Sequence, residues 1–339
     1  MSYSNIKVAT INVRTLQDDM KLVAVIEAAK KCKIDVLAMQ ETRILGFDDC
    51  EFDDEPIRGW KLVWSGLKSK AWHGVAILMA PHVKLISFQE HLPARIMSST
   101  IQCKGLKLHI LNVYSPIDDA KESAKATFYS ALDKAKISLD GYPSHKVITL
   151  GDFNATISSK SKDSGAWDMI LGSNNADRVD TTNNGDRMLE WCLKHKMKIL
   201  NSIFRSKRIH RGTWRHPGTG RWKRIDYICT SAWLRKFTTS CRVFIGPSLL
   251  FHTDHRLLVM DIKFPQTQRS LKHYLSRQVC CEEICRMDVK ALQRDVHLQN
   301  DLSNFLESRL ESFTSDIDLL NEEIVSAVKD GMNEICPKI

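Results

Sequence analysis

Polar side chains that suit metal and proton chemistry lie in or at the ends of apolar runs at several points along the chain. They are Asn12, Glu41, Tyr114, Asp152, Asn154, Asp226, Asp254 and His255. Carboxylate and amide oxygens are ligands for hard divalent cations, and carboxylate or imidazole groups can move protons. Taken singly, each has an ordinary explanation: Asp and Asn after a strand usually form turns, and a buried His can be a packed core residue. If they converge in space, metal-assisted hydrolysis is the chemistry to expect.

The apolar runs that contain or border these residues predict strands. The predicted strands are Ile6–Asn12, Asp35–Glu41, Trp60–Ser65, His73–Ala80, Val83–Gln89, Arg95–Cys103, Leu106–Tyr114, Val147–Gly151, Ile199–Ser202, Arg224–Thr230, Cys241–Ile245 and Leu257–Lys263. Helical periodicity marks Lys21–Lys33, Lys121–Ile137 and Asp186–His195. So many strands with so few helices disfavour a Rossmann fold or a TIM barrel. The pattern predicts an α/β (α+β) fold of four layers, a two-sheet β-sandwich flanked by helices and built from two similar halves.

The apolar runs that predict strands stop after Pro265. The predicted domain therefore covers residues 1–265, and a helical tail covers residues 266–339. One apolar stripe in the tail alternates spacings of four and three: Leu306, Leu310, Phe313, Ile317, Leu320 and Ile324. Such a stripe is typical of an amphipathic helix. It is expected to dock on the body, to pair with a helix of a partner, or to lead into a downstream domain.

The charge of the chain is uneven. Residues 266–339 carry nine basic and 13 acidic side chains, a balance of −4, so the net charge of +9 leaves about +13 on residues 1–265. A basic body favours a polyanionic partner such as nucleic acid, although a solvated basic surface is the ordinary alternative. No signal peptide or membrane-spanning run is recognisable. The ten cysteines follow no paired framework, so reduced thiols and a protein that is not secreted are expected.

Six short motifs occur in one order along the chain. They are INV (11–13), QET (40–42), NVYSP (112–116), GDFN (151–154), RIDY (224–227) and TDH (253–255). The series resembles the endonuclease/exonuclease/phosphatase superfamily, over about four-fifths of the chain from Ile6 to Pro265. GDFN and the Asp–His pair are its most specific members. The resemblance implies a metal-dependent phosphodiesterase.

Three longer segments resemble one particular group within this superfamily. INVRTL, GDRMLEWCLKHKMKILNSIF and HRGTWRHPGTGRWKRIDYI look like the endonuclease domain of non-LTR retrotransposon polyproteins and its craniofacial-development-protein-like relatives in host genes. Arg14 stands where abasic-site repair nucleases often carry an acid, and Thr253 replaces a common Ser while keeping the hydroxyl. The resemblance therefore favours a retrotransposon-type endonuclease over a repair enzyme.

The resemblance assigns the metal-binding role to the first motifs. Glu41 is the expected ligand of Mg²⁺, or of Mn²⁺, with Asn12 beside it. Asp254 is expected either to bind the metal or to position its neighbours. The ion would neutralise the phosphate and stabilise the leaving oxygen.

The resemblance assigns the roles in proton transfer to the later motifs. Asp152 is expected to orient and deprotonate the attacking water, and Asn154 to hold that water or a phosphate oxygen. His255 would donate to a nonbridging oxygen, with Asp226 fixing its tautomer. Tyr114 would donate to the phosphate or assist the leaving group.

A basic segment before RIDY is the expected nucleic-acid contact. From Asn201 to Ile225 the chain has eight Lys or Arg and no Asp or Glu, interleaved with Trp214 and Trp222. Basic side chains bind backbone phosphates, and aromatic rings stack on bases. The residues expected to contact DNA are Arg211, Thr213, Trp214, Arg215, Arg221, Lys223 and Arg224. A basic hairpin whose tryptophans pack in the core is the competing interpretation.

The sequence thus predicts a Mg²⁺-dependent endonuclease that nicks duplex DNA and leaves a 3′-hydroxyl, as in target-primed retrotransposition. The alternatives are an abasic-site endonuclease, another phosphodiesterase or phosphatase of the superfamily, and an inactive domesticated module that binds nucleic acid or a protein partner. A nuclear location follows only from the proposed substrate.

Overall fold

The first of two mixed sheets contains both the first and the last strand of the folded body. The computed structural model describes residues 3–139, 146–158, 167–172, 180–246 and 251–265. The strands of the first sheet, in spatial order, are β14 (Thr238–Phe244), β15 (Leu257–Pro265), β1 (Tyr3–Asn12), β2 (Val36–Gln40), β5 (Val75–Met79), β4 (Lys61–Ser65) and β3 (Phe47–Glu51). The inner strands β2 and β5 are buried along their whole length because both of their faces are covered.

The second sheet has six strands and packs against the first through β7, β8 and β9. In spatial order they are β10 (Met197–Ile199), β13 (Asp226–Ser231), β9 (Val147–Asp152), β8 (Leu106–Tyr114), β7 (Ile96–Cys103) and β6 (Lys84–Leu92). A separate two-stranded ribbon is formed by β11 (Trp214–Arg215) and β12 (Trp222–Lys223). The predicted two-sheet architecture is confirmed.

Helices flank the two sheets. They are α1 (Asp19–Cys32), α2 (Glu122–Leu139), α3 (Asn183–Lys194), α4 (Leu200–Ile203) and α5 (Ala232–Phe237). Caps fix their starts: Asp18 accepts a hydrogen bond from the Met20 amide, and Thr182 accepts one from the Gly185 amide. The apolar faces of α2 and α3 join the core beside the second sheet, where Phe128, Leu132 and Met188 are fully buried.

Each sheet contains one strand–helix–strand unit with a parallel pair of strands. The first unit is β1–α1–β2 and the second is β8–α2–β9. The carboxyl ends of parallel strands lie at the same edge of a sheet, so Asn12 comes next to Gln40 and Tyr114 next to Asp152. The strand ends of these units bring the polar motifs together. The two similar halves predicted from the sequence, with the second starting at Val147, stay a prediction.

A buried amide network joins the sheets just below this edge. Gln40 Nε2 donates to Asn112 Oδ1 at 2.7 Å and to Thr10 Oγ1 at 2.9 Å. Asn112 in turn donates to the carbonyls of Met39 and Ala76 at 2.9 and 2.8 Å. Buried polar groups are stable when their hydrogen bonds are satisfied, so these amides hold the sheets in register rather than bind a ligand.

Several local features differ from the sequence prediction, and one of them is the short helix Ala232–Phe237, which was not predicted. The strand predicted at Ile199–Ser202 is wrong, because β10 ends at Ile199 and the chain turns into α4. An apolar run alone does not separate a strand from a short buried helix. Strand β3 was not predicted, because an acidic edge strand such as Phe47–Glu51 lacks the apolar alternation that marks most strands.

The predicted helical tail at 266–339 lies outside the described residues, so its boundary at Pro265 remains a prediction. Among the described residues, no helix combines the length and apolarity needed to cross a membrane. The cysteines in the described part of the chain carry free thiols.

Candidate active site

The side chain of Asn12 links the two halves of the site. At the end of β1, its Nδ2 donates to Glu41 Oε1 at 2.9 Å and to Asp152 Oδ2 at 3.1 Å. Its Oδ1 accepts from the backbone amide of Arg14 at 3.1 Å. Asn12 was predicted to lie beside the metal as a ligand. In this arrangement its oxygen faces the Arg14 amide, and its nitrogen bridges two carboxylates.

Glu41 is the more accessible of the two carboxylates that Asn12 contacts. It has a positive φ of 53°, and its side chain is 23% exposed. Oε1 accepts from Asn12 and from the Tyr114 hydroxyl, the latter at 2.9 Å, whereas Oε2 lies 3.5 Å from the Arg43 guanidinium. Burial acts to raise the pKa of Glu41, but the hydrogen bonds from Asn12 and Tyr114 outweigh it and lower the pKa below its usual value. Glu41 is therefore an ionised, reachable oxygen donor.

Asp152 ends β9 and is almost completely buried. The preceding Gly151 has a φ of 146°, and a Cβ there would lie 2.0 Å from the Val113 carbonyl, so only glycine allows β9 this close to β8. The Asn154 amide donates to Asp152 Oδ1 at 2.9 Å, and Asn154 Nδ2 donates to the Ser115 carbonyl at 2.9 Å. Burial, aided by the charge of Asp226, raises the pKa of Asp152 to about 7. Asp152 can thus exchange a proton near neutral pH.

His255 lies between two aspartates. Its Nδ1 is 3.0 Å from Asp226 Oδ2, and its Nε2 is 3.9 Å from Asp152 Oδ2. Burial alone would lower the pKa of His255, but the charges of Asp226 and Asp152 and the Asp226 hydrogen bond raise the pKa to about 9. The imidazolium is therefore the dominant form at neutral pH. A positive donor is thus fixed beside the candidate base.

The TDH segment (253–255) is bonded to the end of β1 and to strand β11 of the ribbon. The Thr253 hydroxyl donates to the Asn12 carbonyl at 2.8 Å and accepts from the His255 amide at 3.2 Å. His255 also pairs with Trp214 in an isolated antiparallel bridge. Together these contacts connect the segment before β15 to β1 and to the ribbon, and they hold His255 beside the end of β1.

Thr213 was predicted to contact DNA, but its side chain is fully buried. Its hydroxyl accepts from the amides of Ile225 and Asp226, both at 3.1 Å. Thr213 therefore holds Asp226 at the start of β13, and its buried side chain offers no surface for the predicted DNA contact. Sequence reasoning could not separate the two roles, because a Thr beside an aromatic residue suits either.

Asp254 is held by groups of the protein. Its Oδ2 accepts from the indole nitrogen of Trp214 at 3.0 Å, and its Oδ1 lies 3.7 Å from the Arg14 guanidinium. Among the described residues, the ligand-type cluster at this site comprises Asp152, Asp226 and His255, whose donor atoms lie within 4.8 Å of one another, and leaves Asp254 outside. Asp254 Oδ2 thus positions Trp214, whereas its buried Oδ1 has no hydrogen-bond partner among the described residues, so both expected roles for Asp254 stay predictions.

The basic ribbon β11–β12 borders the site. Three of the residues expected to contact DNA have exposed side chains, namely Arg215, Arg221 and Lys223. Trp214 is half-buried against Asp254, and Arg211 is half-buried with its Nε donating to the Ser206 carbonyl at 3.2 Å. Arg224 is buried and so presents little surface to a ligand. The ribbon thus exposes fewer basic side chains than the sequence suggested.

A cavity of about 460 Å³ lies between the ribbon and the TDH segment. It is lined by Arg14, Arg215, Trp222, Ile245, His252, Thr253, Asp254 and Arg256. The Arg256 guanidinium lies 3.3 Å from the centre of the Trp222 ring and donates to the Ile209 carbonyl at 2.9 Å. Burial and the nearby Arg215 lower the pKa of Arg256. The cavity is strongly basic, with Asp254 as the acid among its lining residues.

Sequence reasoning missed Arg95 and His73, which support the Tyr114 side of the site. Arg95 Nη1 donates to the carbonyls of Tyr114 and Ser115 at 3.3 and 3.1 Å, and its guanidinium lies 4.5 Å from the centre of the Tyr114 ring. Its Nη2 is 3.0 Å from His73 Nε2. Burial and the charge of Arg95 lower the pKa of His73 to about 4, so this imidazole is neutral. No motif spacing marked these residues, because they reach the site from the turn before β7 and from a loop.

The carboxylates present suit a hard divalent cation. Glu41 is ionised and partly exposed, and Asn12 places Asp152 beside it. Asp226 Oδ1 and Asp254 Oδ1 are buried and have no hydrogen-bond partner among the described residues. An oxygen-only donor set of this kind fits Mg²⁺ or Mn²⁺ and does not suit a thiol-seeking metal.

Solved structures with the same fold include several nucleases. The endonuclease domain of TRAS1, a telomere-specific non-LTR retrotransposon, is 16% identical, with a TM-score of 0.54 over 76% of this chain and 98% of that chain. The 3′ phosphatase NExo from Neisseria, bound to a product DNA hairpin, is 20% identical, with a TM-score of 0.56 over 76% and 99%. An AP endonuclease from Archaeoglobus fulgidus is 23% identical, with a TM-score of 0.53 over 75% and 98%. At these identities the likeness concerns the fold.

Two curated relatives share more sequence. Craniofacial development protein 2 from Bos taurus is 28% identical over 276 residues, and that from Tragulus javanicus is 27% identical over 276 residues. The match covers 78% of this chain but 43% and 44% of those proteins. The chain therefore spans less than half the length of these relatives.

A family model matches residues 9–255, from the strand that ends in Asn12 to His255 itself. The matched span holds every strand end that contributes to the site. The chain belongs to the endonuclease/exonuclease/phosphatase family.

Proposed function

We propose that this protein is a Mg²⁺-dependent endonuclease that nicks duplex DNA. The observation that carries the proposal is the convergence of Glu41, Asp152 and the Asp226–His255 pair at one edge of the sandwich, with a basic ribbon beside them. Together these groups meet the three needs of phosphodiester hydrolysis: an activated water, neutralised phosphate charge, and help for the leaving oxygen.

Asp152 is proposed as the general base. Its Oδ2 accepts from Asn12 and faces His255 Nε2, so the carboxylate is aimed into the site. A pKa of about 7 allows Asp152 to take a proton from water and release it again at neutral pH. The backbone amide of Asn154 donates a hydrogen bond to Asp152 Oδ1 and so fixes that oxygen, which leaves Oδ2 as the reacting atom.

His255 and Tyr114 are proposed as donors to the phosphate. The imidazolium is oriented by Asp226, so its Nε2 hydrogen points into the site and can bond a nonbridging oxygen as charge develops. Burial and the negative charges of Glu41 and Asp152 raise the pKa of Tyr114, so the phenol keeps its proton. The single phenol hydrogen is donated to Glu41 Oε1, so donation to the phosphate or to the leaving oxygen requires Tyr114 to leave this hydrogen bond.

Glu41 would hold the Mg²⁺ or Mn²⁺ ion, with Asp152 beside it across the Asn12 amide. When bound, the ion supplies charge neutralisation at the phosphate and at the leaving oxygen. The lowered pKa of Glu41 keeps the ligand ionised at neutral pH.

Duplex DNA is the proposed substrate because the surface beside the acids is basic. Arg215, Arg221 and Lys223 project from the ribbon, and the adjoining cavity adds Arg14 and Arg256. Basic side chains on one face supply the salt-dependent affinity of proteins for the phosphate backbone.

A nuclear location goes with this substrate and is part of the proposal. A helical partner or downstream domain for residues 266–339 is likewise proposed from the apolar stripe.

The test is conversion of supercoiled plasmid to nicked circles by the purified chain in Mg²⁺. We expect nicking by the wild type, and none in EDTA or with the variants Asp152→Ala and His255→Ala. Primer extension from the nicks, without phosphatase treatment, reports the product end: a 3′-hydroxyl is extended and a 3′-phosphate is not.

Three results would replace the proposal. Cleavage confined to abasic DNA would identify a repair endonuclease, and release of phosphate from 3′-phosphorylated ends without nicking would identify a phosphatase. Unimpaired DNA binding with no cleavage of any of these substrates, from folded protein, would identify a binding module.

A further inference from the structure

A second cavity borders the site on the Tyr114 side. Its volume is about 600 Å³, a size typical of cavities that bind small organic groups. Tyr114 belongs to both places, because it lines the cavity and its hydroxyl donates to Glu41 Oε1 at 2.9 Å. A substrate held at the acids therefore has this cavity, named the Tyr114 cavity, directly beside it.

The lining of the Tyr114 cavity is mainly apolar. Its apolar residues come from the end of β6, the loop after β8 and the first half of α2: Leu92, Pro116, Ile117, Ala120, Ala124 and Phe128. Ile117 is 58% exposed, so the lining includes apolar surface that a ligand can cover. Covering such surface favours a flat, weakly hydrated group over a hydrated ion.

The guanidinium in the wall of the cavity is already engaged by the protein. Arg95 Nη1 donates to the carbonyls of Tyr114 and Ser115 at 3.3 and 3.1 Å, and Nη2 lies 3.0 Å from Nε2 of the neutral His73. Its guanidinium also lies 4.5 Å from the centre of the Tyr114 ring. These contacts hold Arg95 in place, so the wall offers fixed hydrogen-bond donors rather than a free cation that could turn toward a phosphate.

The cavity at the ribbon differs in charge, because three arginines line it together with Thr253 and Asp254. The contacts that join the two cavities run through the proposed catalytic groups: Tyr114, Glu41, Asn12, Asp152 and His255. A DNA strand that crosses these groups thus has a basic cavity at one end and a mainly apolar cavity at the other. Basic groups suit phosphates, and apolar or aromatic surface suits a base.

The surface around the Tyr114 cavity has further groups suited to nucleic acid. Lys121 is exposed and lines the cavity, and Lys68, Lys70 and Trp72 are exposed on the loop before His73. Trp72 is 63% exposed, and Lys70 Nζ lies 5.2 Å from the centre of its ring. The backbone of a strand therefore meets cations on this side of the site as well as at the ribbon.

We propose that the Tyr114 cavity receives one base of the DNA strand, next to the phosphate that is cleaved. The inference rests on the proposed function, because it concerns the substrate of the same site. A base in a duplex is stacked on both faces and paired at its edge, so it must leave the stack to enter a cavity. The protein therefore prefers positions where a base unstacks readily, such as a mismatch.

The first test compares the affinities of the full chain for a short labelled duplex and for the same duplex with one central mismatch. Fluorescence anisotropy is measured in Mg²⁺, and every variant carries Asp152→Asn so that the DNA stays intact. We expect this parent to bind the mismatched duplex about tenfold more tightly, because a mismatched base is easier to unstack. Ala124→Phe adds a ring to the cavity from an exposed position on α2 and should remove the preference. Ala126→Phe is the matched control, since this exposed alanine of α2 lines a different cavity, and it should keep the preference.

Photocrosslinking then locates the base. The mismatched duplex carries 5-iodouracil at the mismatch, and irradiation joins this base to an aromatic side chain beside it, which peptide mass spectrometry identifies. We expect a crosslink to Tyr114 in the parent and in Ala126→Phe, and its loss in Ala124→Phe.

Three results would overturn the inference. The parent would bind the two duplexes equally, or Ala124→Phe would keep the preference for the mismatch, or the crosslinks would fall on Trp72, Trp214 or Trp222 in place of Tyr114. By contrast, folded parent that binds neither duplex would count against the proposed function itself, and the inference would fall with it.

Discussion

The two strand–helix–strand units share a topology but place different chemistry at the same edge of the molecule. In the first unit, the ends of β1 and β2 present Asn12 and Glu41, and the carboxylate is partly exposed and has a lowered pKa. In the second unit, the ends of β8 and β9 present Tyr114 and Asp152, and the carboxylate is almost completely buried and has a pKa of about 7.

The difference lies in the surroundings rather than in the residue type. Hydrogen bonds from Asn12 and Tyr114 stabilise the anionic form of Glu41, which suits an ion ligand. Burial beside Asp226 destabilises the anionic form of Asp152, which suits a group that exchanges protons. Under the proposed function, one fold thus provides a metal half at Glu41 and a proton half at Asp152, as expected when similar acids occupy different environments.

The largest expected effect is on the proton half. Asp152→Asn keeps the shape and the Asn12 contact but removes the base, so we expect nicking to fall by about 10³-fold. Raising Mg²⁺ should not restore it, because the lost group moves a proton. Initial rates of plasmid nicking at several Mg²⁺ concentrations check this. Recovery at high Mg²⁺ would show that Asp152 acts mainly as a ligand.

The next expected effect is on the orientation of His255. Asp226→Asn removes the charge that favours the imidazolium, so we expect the pKa of His255 to fall from about 9 and nicking to drop by about 10²-fold. NMR titration of the imidazole measures the pKa in the metal-free protein. A pKa that stays near 9 would mean that Asp152 alone holds the proton on His255.

In the metal half, the expected effect depends on ion concentration. Glu41→Gln removes the ionised ligand, so we expect the apparent affinity for Mg²⁺ to fall by about 10- to 100-fold. Activity should return in part at high Mg²⁺ or Mn²⁺, unlike that of Asp152→Asn. This contrast in rescue is the direct test of the division into two halves, and equal rescue of both variants would contradict it.

A smaller expected effect concerns the ribbon. Arg215→Gln and Lys223→Gln should each weaken binding to DNA of any sequence and lower the salt slope by about one, with turnover of bound substrate little changed. Fluorescence anisotropy across a salt series gives both quantities. Arg242→Gln, which changes an exposed arginine on β14 that stacks on Phe244, is the matched control. An equal loss of DNA affinity in Arg242→Gln would mean that the ribbon has no specific role in DNA binding.

The smallest expected effect is on stability. The pKa of His255 is raised from 6.5 to about 9, so the folded state binds the proton more tightly than the unfolded state. Its stabilising contribution is fully present below pH 6.5 and is lost as the pH rises through 9. Denaturant unfolding in EDTA at pH 6.5 and pH 9 should show a loss in the wild type that is smaller in His255→Gln. Equal losses would mean that other groups cause the dependence.

The sequence was informative wherever local pattern decides structure. Apolar runs that end in polar residues located β1, β2, β8 and β9, and with them Asn12, Glu41, Tyr114 and Asp152, because parallel strands place their carboxyl ends at one edge. The short helix at Leu200–Ile203 and the acidic edge strand Phe47–Glu51 were missed or misassigned, because packing rather than periodicity sets them.

By itself, the sequence determined which acids, amides and histidine lie where strands begin or end, and the order of motifs that marks the family. The tertiary structure decided their partners. It turned the oxygen of Asn12 toward Arg14, placed Thr213 in the core, and tied Asp254 to Trp214. Contacts such as that between Asp254 and Trp214 join residues far apart in the chain across about 3 Å, which no spacing along a sequence encodes. Burial then separated the pKa values of two similar carboxylates, because desolvation depends on what the fold packs around each one.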